Sequence, residues 1–224
     1  MRRRIRLSLV ALALTASVFS AFAQSGASSI DVLDRIRNES VSFDYTYWVA
    51  TGDKPSELRQ SSSGTVVAQQ DAYAVTGLGL EVRSDSRTRW SIDPAAKEVL
   101  IESVGSEVAD DLLLTPTLAV CRYSDYFTTS FAGRQLVSDG YVDRFDLKPI
   151  RPTAELAEVY LLVKTDDGSA GDAVSLAFGF RGSDATWIEI RTGQLRFAPR
   201  KELSFYRPAA VAFSAPEWVV TDLR

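Results

Sequence analysis

The sequence predicts a mainly β fold, α+β in class, built on one large antiparallel sheet that curls. Three observations predict it. About ten short segments alternate apolar and polar residues with a period of two. Short polar turns separate these segments at near-regular spacing. Only two segments show helical spacing. A sheet with that many strands curls rather than lying flat.

Taken in order, residues 28–39 are expected as an amphipathic helix. Ser28 with Asp31 makes a capping-box-like start, and Ser29 is an alternative cap. Ile30, Leu33, Ile36 and Arg37 fall at helical spacing with Val32 beside them, opposite Asp34, Arg35 and Asn38. The period then changes. Val41, Phe43, Tyr45, Tyr47 and Val49 alternate with Ser42, Asp44, Thr46 and Trp48, which makes a half-buried strand. Thr51–Ser63 reads as a polar turn, and Gly64–Ala68 and Ala72–Thr76 as strands around Gln69-Gln70-Asp71. Leu80–Arg83 is a short strand ending in a turn at Asp85-Ser86. Thr88–Asp93 and Glu98–Glu102 form a hairpin, with Trp90 and Ile92 on one face of the first arm and Val99 and Ile101 on one face of the second. Residues 107–114 are apolar with acids. Thr115-Pro116 is an N-cap and first-turn pair that starts a second helix, running to about Tyr126. Further strands are expected at Arg134–Ser138, Asp143–Pro149, Glu158–Lys164, Ala173–Phe180, Ala185–Thr192 and Glu202–Tyr206.

The N-terminus reads as an export signal. Arg2, Arg3, Arg4 and Arg6 form a positive region, Leu7–Ser20 is uncharged and apolar, and Ala21-Phe22-Ala23 is a small-x-small cleavage site. The apolar run is short for a membrane span, which needs about 20 residues. Residues 1–23 are therefore expected to be removed, leaving a soluble periplasmic protein that starts at Gln24. No repeat or linker interrupts residues 24–224, so they form one domain. Removing the signal takes away four arginines and no acid, moving the net charge from −4 to −8. That balance argues against nucleic acid as a partner.

Composition also narrows the chemistry. The chain has no histidine and a single cysteine, Cys121. Ser-His-Asp and Cys-His catalysis and the usual zinc sites are thereby excluded. Gly77-Leu78-Gly79-Leu80 lacks the third glycine of a nucleotide loop and reads as a turn. Asp166–Asp172 lacks calcium-loop spacing, and Asp110-Asp111 reads as a solvated pair. No serine sits in G-x-S-x-G. No catalytic residue, metal site or cofactor is expected, and the chain does not read as an enzyme. The aromatic residues in or beside the strands fit two interiors, one filled by side chains and one that leaves room for an apolar ligand. Composition does not choose between them.

Several segments together resemble the LolA-like periplasmic carriers of outer-membrane lipoproteins. They are the amphipathic helix running into an aromatic strand (Leu33 to Tyr47), Gly64-Thr65-Val66-Val67, the stretch Leu80 to Pro94 with Asp85, Trp90 and Asp93-Pro94, and Leu114-Thr115-Pro116-Thr117-Leu118. The ending Trp218–Arg224 is similar to that of divergent Bacteroidetes members. There are departures. Ser86 stands where the family usually has glycine. Gln70-Asp71 stands near the place where the best-studied branch carries a basic residue that latches its helical lid.

The resemblance implies an incomplete, strongly curved antiparallel β-barrel with helices covering its concave apolar face. The implied function is carriage of lipoprotein acyl chains, or a related lipid, towards the outer membrane. Its implied partners are the acylated cargo, an inner-membrane release complex and an outer-membrane acceptor, with the carrier a monomer. The same fold also serves as a periplasmic lipid-sensing regulatory or interaction domain, which is the alternative. Strand alternation selects a cavity lining of Phe43, Tyr45, Tyr47, Trp90, Ile92, Leu161, Val163, Phe178 and Phe180, with Leu33, Ile36 and Leu118 closing it from above. On export, N-terminal sequencing of secreted protein is expected to begin at Gln24; an intact Met1 would refute the signal-peptide reading.

Overall fold

The computed structural model describes residues 29–51, 59–104, 116–137, 140–151, 156–165, 174–182, 186–209 and 211–224. The expected signal segment, the stretch 107–114 and the turn at 166–172 lie outside them. The described residues contain one helix at 29–38 (α1), another at Pro116–Tyr126 (α2), and thirteen strands in one sheet. The strands are β1 (Ser40–Thr51), β2 (Arg59–Gln69), β3 (Ala72–Gly77), β4 (Leu80–Asp85), β5 (Thr88–Asp93), β6 (Glu98–Ser103), β7 (Phe127–Val137), β8 (Gly140–Pro149), β9 (Leu156–Thr165), β10 (Val174–Gly182), β11 (Thr186–Thr192), β12 (Arg196–Ala198) and β13 (Val219–Asp222).

Two meanders make the sheet. The first runs from β1 out to β6, and the second runs from β11 back to β7. Tyr45–Thr51 of β1 pairs with Thr186–Thr192 of β11 and joins them. β12 pairs with the first residues of β1, and β13 adds to β6. The sheet is strongly curved and does not close into a barrel, as expected. Among the described strands every pairing is antiparallel except that of β13 with β6, which is parallel.

Register explains where the core sits. Because strand side chains alternate between faces, directly paired residues share a face. Phe131, Phe145, Leu161, Phe178, Ile190 and Tyr47 stand opposite one another across six strands. A second row runs Phe43, Val66, Val75, Val82, Ser91, Leu100 and Thr221. Both rows lie on the inner face, and the helices cover only part of each. The Phe178 ring is tilted against Phe127 at 6.2 Å and edge-on to Phe180 at 6.4 Å, geometries that aromatic pairs favour. α1 contributes Val32, Leu33 and Ile36 to this cluster, and α2 contributes Val120, Cys121 and Tyr123. Ile30, expected in the helix stripe, is 49% exposed; the buried stripe is Val32, Leu33 and Ile36 instead.

The outer face is sealed differently. Tyr160 lies over Gly179, where a Cβ would come within 2.2 Å of its ring, and donates to Glu189 at 2.6 Å. Arg144 stacks on that ring at 5.0 Å, and Arg191 stacks on Trp48 at 4.6 Å. Planar charged groups on aromatic faces cover the sheet here while keeping water contact.

Several expected boundaries move. Ser61–Ser63 belong to β2 rather than to a turn. That half of β2 pairs only with β1, so water reaches it and serines are tolerated. β7 begins seven residues earlier than expected, because an edge strand with both faces wet loses its alternation. Residues 203–206 form a 3₁₀ turn instead of a strand, burying Tyr206. Ser86 adopts φ 76°, the left-handed conformation that glycine tolerates best.

Asp85 braces that turn, accepting from the backbone N–H of Arg87 at 3.0 Å and of Thr88 at 2.9 Å, and from Arg207 at 2.6 Å. Burial works to raise its pKa, but those amides and the guanidinium outweigh it and hold the carboxyl below its usual 3.8. A carboxyl lowered by folding contributes stability in full above its unfolded pKa and loses it as pH falls through the folded value. Urea midpoints are therefore expected to fall more steeply below about pH 4 in the wild type than in Asp85→Asn. Parallel profiles would refute the assignment.

Candidate functional site

The candidate site is the inner face of the sheet, and it has two parts. Under the helices it is tightly packed. Leu33, Ile36, Phe43, Leu161, Val163, Phe178 and Phe180 all join one buried cluster there. Beyond the helices it stands half-open. Tyr45, Tyr47, Ile188 and Val82 are only partly buried and pack against the edge of that cluster.

Tyr45 is held flat in the half-open part. It pairs across the strands with Gly64, and Gly64 with Gly77. A Cβ on Gly77 would meet the Tyr45 hydroxyl at 2.3 Å, and one on Gly64 would meet the ring edge at 2.7 Å. Two glycines on neighbouring strands thus let the ring lie along the sheet instead of standing up into the interior. Burial raises the pKa of both Tyr45 and Tyr47, so their phenols stay neutral.

The half-open part leads to a groove of about 340 Å³ over β4, β5, β6 and β13. Leu80, Val82, Leu100 and Val219 supply its apolar surface, and Asp93 and Glu98 stand at its rim. The row from Phe43 through Val82 and Leu100 to Thr221 makes packed core and groove one continuous face. This volume falls at the small end of the range for ligand pockets.

Two of the expected lining residues are displaced. Trp90 pairs with Arg83, which pairs with Ala74, and this row lies on the outer face. Trp90 and Ile92 form a separate cluster there with Val99 and Ile101, covered by Phe213 and Trp218, although Ile92 and Val99 also border the groove. Alternation shows which residues share a face but not which face turns inward. The side chain of Leu118 lies outside what the structure describes; its backbone is in α2. Sequence reasoning also missed Ile188, Ile190, Phe127 and Phe145, although the first two alternate visibly along β11.

Chemically the face is quiet. Cys121 is buried, and burial pushes its thiol up to about 12, so it is no nucleophile. Among the described residues no cluster of potential metal ligands occurs, and no helix is long and apolar enough to cross a membrane.

The two helices are anchored unequally. At the start of α1, the Ser29 hydroxyl donates to Asp143 at 2.5 Å, and Arg134 donates to the same carboxylate at 3.0 Å. Ser29 and Asp143 are both buried. α2 is held to the β2–β3 turn by an ion pair of Arg122 with Asp71 at 3.1 Å. Here the strand side of the contact is acidic and the helix side basic. Arg122 also reaches Asp125 at 3.1 Å, and Asp71 is half exposed. Exposed ion pairs contribute about 0–1 kcal/mol, whereas disrupting a buried charged hydrogen bond costs about 1–3 kcal/mol. The apolar residues that each helix gives to the core are equally buried, and by its polar anchor α1 is the firmer cover.

No protein-family model matches the sequence, and no curated protein matches it. Solved structures do resemble it. An uncharacterized conserved protein from Thermus thermophilus aligns over 88% of this chain and 99% of its own, with TM-score 0.50 and 10% identity. A LolA superfamily protein from Nitrosomonas europaea aligns over 81% and 97%, with TM-score 0.41 and 11% identity. A putative outer membrane lipoprotein-sorting protein domain from Vibrio parahaemolyticus aligns over 80% and 94%, with TM-score 0.35 and 10% identity. The Thermus protein shares the fold across almost its whole length.

In hydrogen exchange, the amides of α2 are expected to exchange faster than those of α1. Asp143→Ala should lower stability by about 1–3 kcal/mol and bring α1 to the rate of α2. Arg122→Gln should change global stability by less than about 1 kcal/mol. Faster exchange of α1 in the wild type would refute the ordering.

Proposed function

We propose that this chain is a periplasmic carrier that sequesters the acyl chains of lipoproteins, or of a related lipid, on the inner face of its sheet. One observation carries the reading. The apolar inner face is packed under the helices, then continues past them over the half-buried Tyr45 and Tyr47 into an open groove lined by Leu80, Val82, Leu100 and Val219. A protein that needed only a core would close this face.

The physics suits the task. Each methylene kept from water is worth about 0.8 kcal/mol, so a 16-carbon chain represents roughly 12 kcal/mol as an upper figure. Such a chain does not cross an aqueous space unaided. Sequestering it takes a dry surface and a movable cover, and no covalent chemistry. Tyr45, Tyr47 and Ile188 form the proposed contact surface at the mouth, and Val82 and Leu80 carry it into the groove. α2, the more weakly anchored cover, is the element that would shift to admit a long chain over Phe178, Leu161 and Val163. The sequence resemblance supplies the proposed direction, from an inner-membrane release complex to an outer-membrane acceptor, and the export signal supplies the compartment.

The test is binding of a fluorescent fatty-acyl probe, with mass spectrometry of lipid co-purified from the periplasm. Wild-type protein is expected to bind the probe in a saturable way. Ile188 stands between Phe180 and Val49 in the half-open part. Ile188→Trp should therefore fill the mouth and weaken binding about tenfold or more, while the thermal midpoint shifts by only a few degrees. A wild-type protein that neither binds the probe nor carries lipid would refute the carrier reading.

A further inference from the structure

The groove ends at an open strand edge. β13 pairs with β6 on one side, and among the described residues no strand pairs with its other side. The N–H of Val219 donates to the Lys97 carbonyl at 2.9 Å and that of Leu223 to the Ile101 carbonyl at 2.8 Å. The odd-numbered residues therefore turn their backbone towards β6, and Val220 and Asp222 turn theirs outward. All four residues of β13 are exposed. Open edges usually carry lysine, proline or a bulge that blocks further pairing. This one reads Val-Val-Thr-Asp, and its single charge is held by Arg224 at 2.6 Å.

The neighbouring rim carries Asp93 and Glu98, and the ammonium of Lys97 beside them is paired with Glu217 at 3.5 Å. Asp93 and Glu98 stand directly opposite each other on β5 and β6, and Glu98 is level with Val219 in the parallel register. Like charges in that position repel, and a cation beside them relieves the repulsion. The Asp93 carboxylate also accepts the N–H groups of Ala95 and Ala96, both at 2.9 Å, which fixes it at the turn.

We propose that the β13 edge docks an extended segment of a partner protein, added as a further strand, with alternate apolar side chains over the groove and a Lys or Arg at Asp93 and Glu98. Two observations select this occupant. The outward N–H and C=O groups of Val220 and Asp222 are satisfied by a backbone, which a lipid does not offer. A second copy of β13 would bring Asp222 with Arg224 already paired to it, and so no free positive residue, to an acidic rim within a chain of net charge −4. The proposal does not depend on what the inner face carries.

The test uses the whole protein and fluorescein-labelled, end-blocked hexapeptides read by anisotropy. A peptide of alternating Lys and Val is expected to bind saturably and more weakly as salt rises, and one of alternating Glu and Val to bind at least tenfold more weakly. Val220→Pro removes an outward N–H and leaves the bonds to β6 intact, so it should weaken the Lys-Val peptide about tenfold or more at an unchanged thermal midpoint. Glu98→Gln should weaken it severalfold and flatten the salt dependence. Acyl-probe binding should be unchanged in Val220→Pro, a residue outside the groove lining, which separates this proposal from the carrier reading. If Val220→Pro is less stable, the Lys-Val peptide N-methylated at alternate residues serves instead, and wild type should not bind it. The proposal is overturned if wild type fails to bind the Lys-Val peptide, binds the Glu-Val peptide equally, or binds the N-methylated peptide as tightly. A stably folded Val220→Pro that binds as well as wild type overturns it too. A wild-type dimer that Val220→Pro abolishes would assign the edge to a second copy and also overturn it.

Discussion

A wide sheet that never closes on itself must do something with its apolar inner face, and the rest of this molecule answers to that constraint. The row from Phe131 through Phe178 to Tyr47 crosses both meanders, so neither half can shift by one residue without turning its side chains to water. The helices exist to cover this row. Neither α1, with three buried apolar residues, nor α2 would hold its shape alone at such length. Their stability is borrowed from the sheet, and it ends where their contacts with the sheet end.

The two faces solve opposite problems. The outer face uses arginines stacked on Trp48, Tyr160 and Trp187, which shield the sheet without creating a greasy surface. Among the described residues, the inner face has no such arginine layer over Tyr45 and Tyr47. Leaving that region uncovered is unfavourable in water, and a curved sheet could have avoided it with bulkier residues at Gly64 and Gly77. The glycines do the reverse and keep the floor low. An interior that stays partly unfilled by its own side chains is ready to be filled by something else.

The period-two alternation in β1 and β8 to β11, and the two segments at helical spacing, made the fold class legible in the sequence, because a half-buried strand must alternate. The edges were not legible. Wet on both faces, β7 shows no alternation, and the short β12 and β13 depend on partners far away in sequence. The site was legible in part. Phe43, Leu161 and Phe178 do share a face, since local alternation guarantees consistency within a strand. The direction of that face is a tertiary property, and Trp90 and Ile92 turned the other way because the C-terminal segment supplies their cover. The groove depends on register between β4, β5, β6 and β13, which no local pattern encodes.

That C-terminal cover has a kinetic consequence. Phe213 and Trp218, whose rings pack at 5.1 Å, reach strands more than a hundred positions earlier in the chain. Contacts of such separation close slowly, because the long loop loses entropy before the contact rewards it. The antiparallel neighbours β3 to β6, joined by tight turns, can assemble first. Until the tail arrives, Trp90, Ile92, Val99 and Ile101 form a bare apolar patch beside an unpaired β6. This interval of folding, more than any feature of the finished molecule, is when the chain is most exposed to aggregation and most in need of a chaperone.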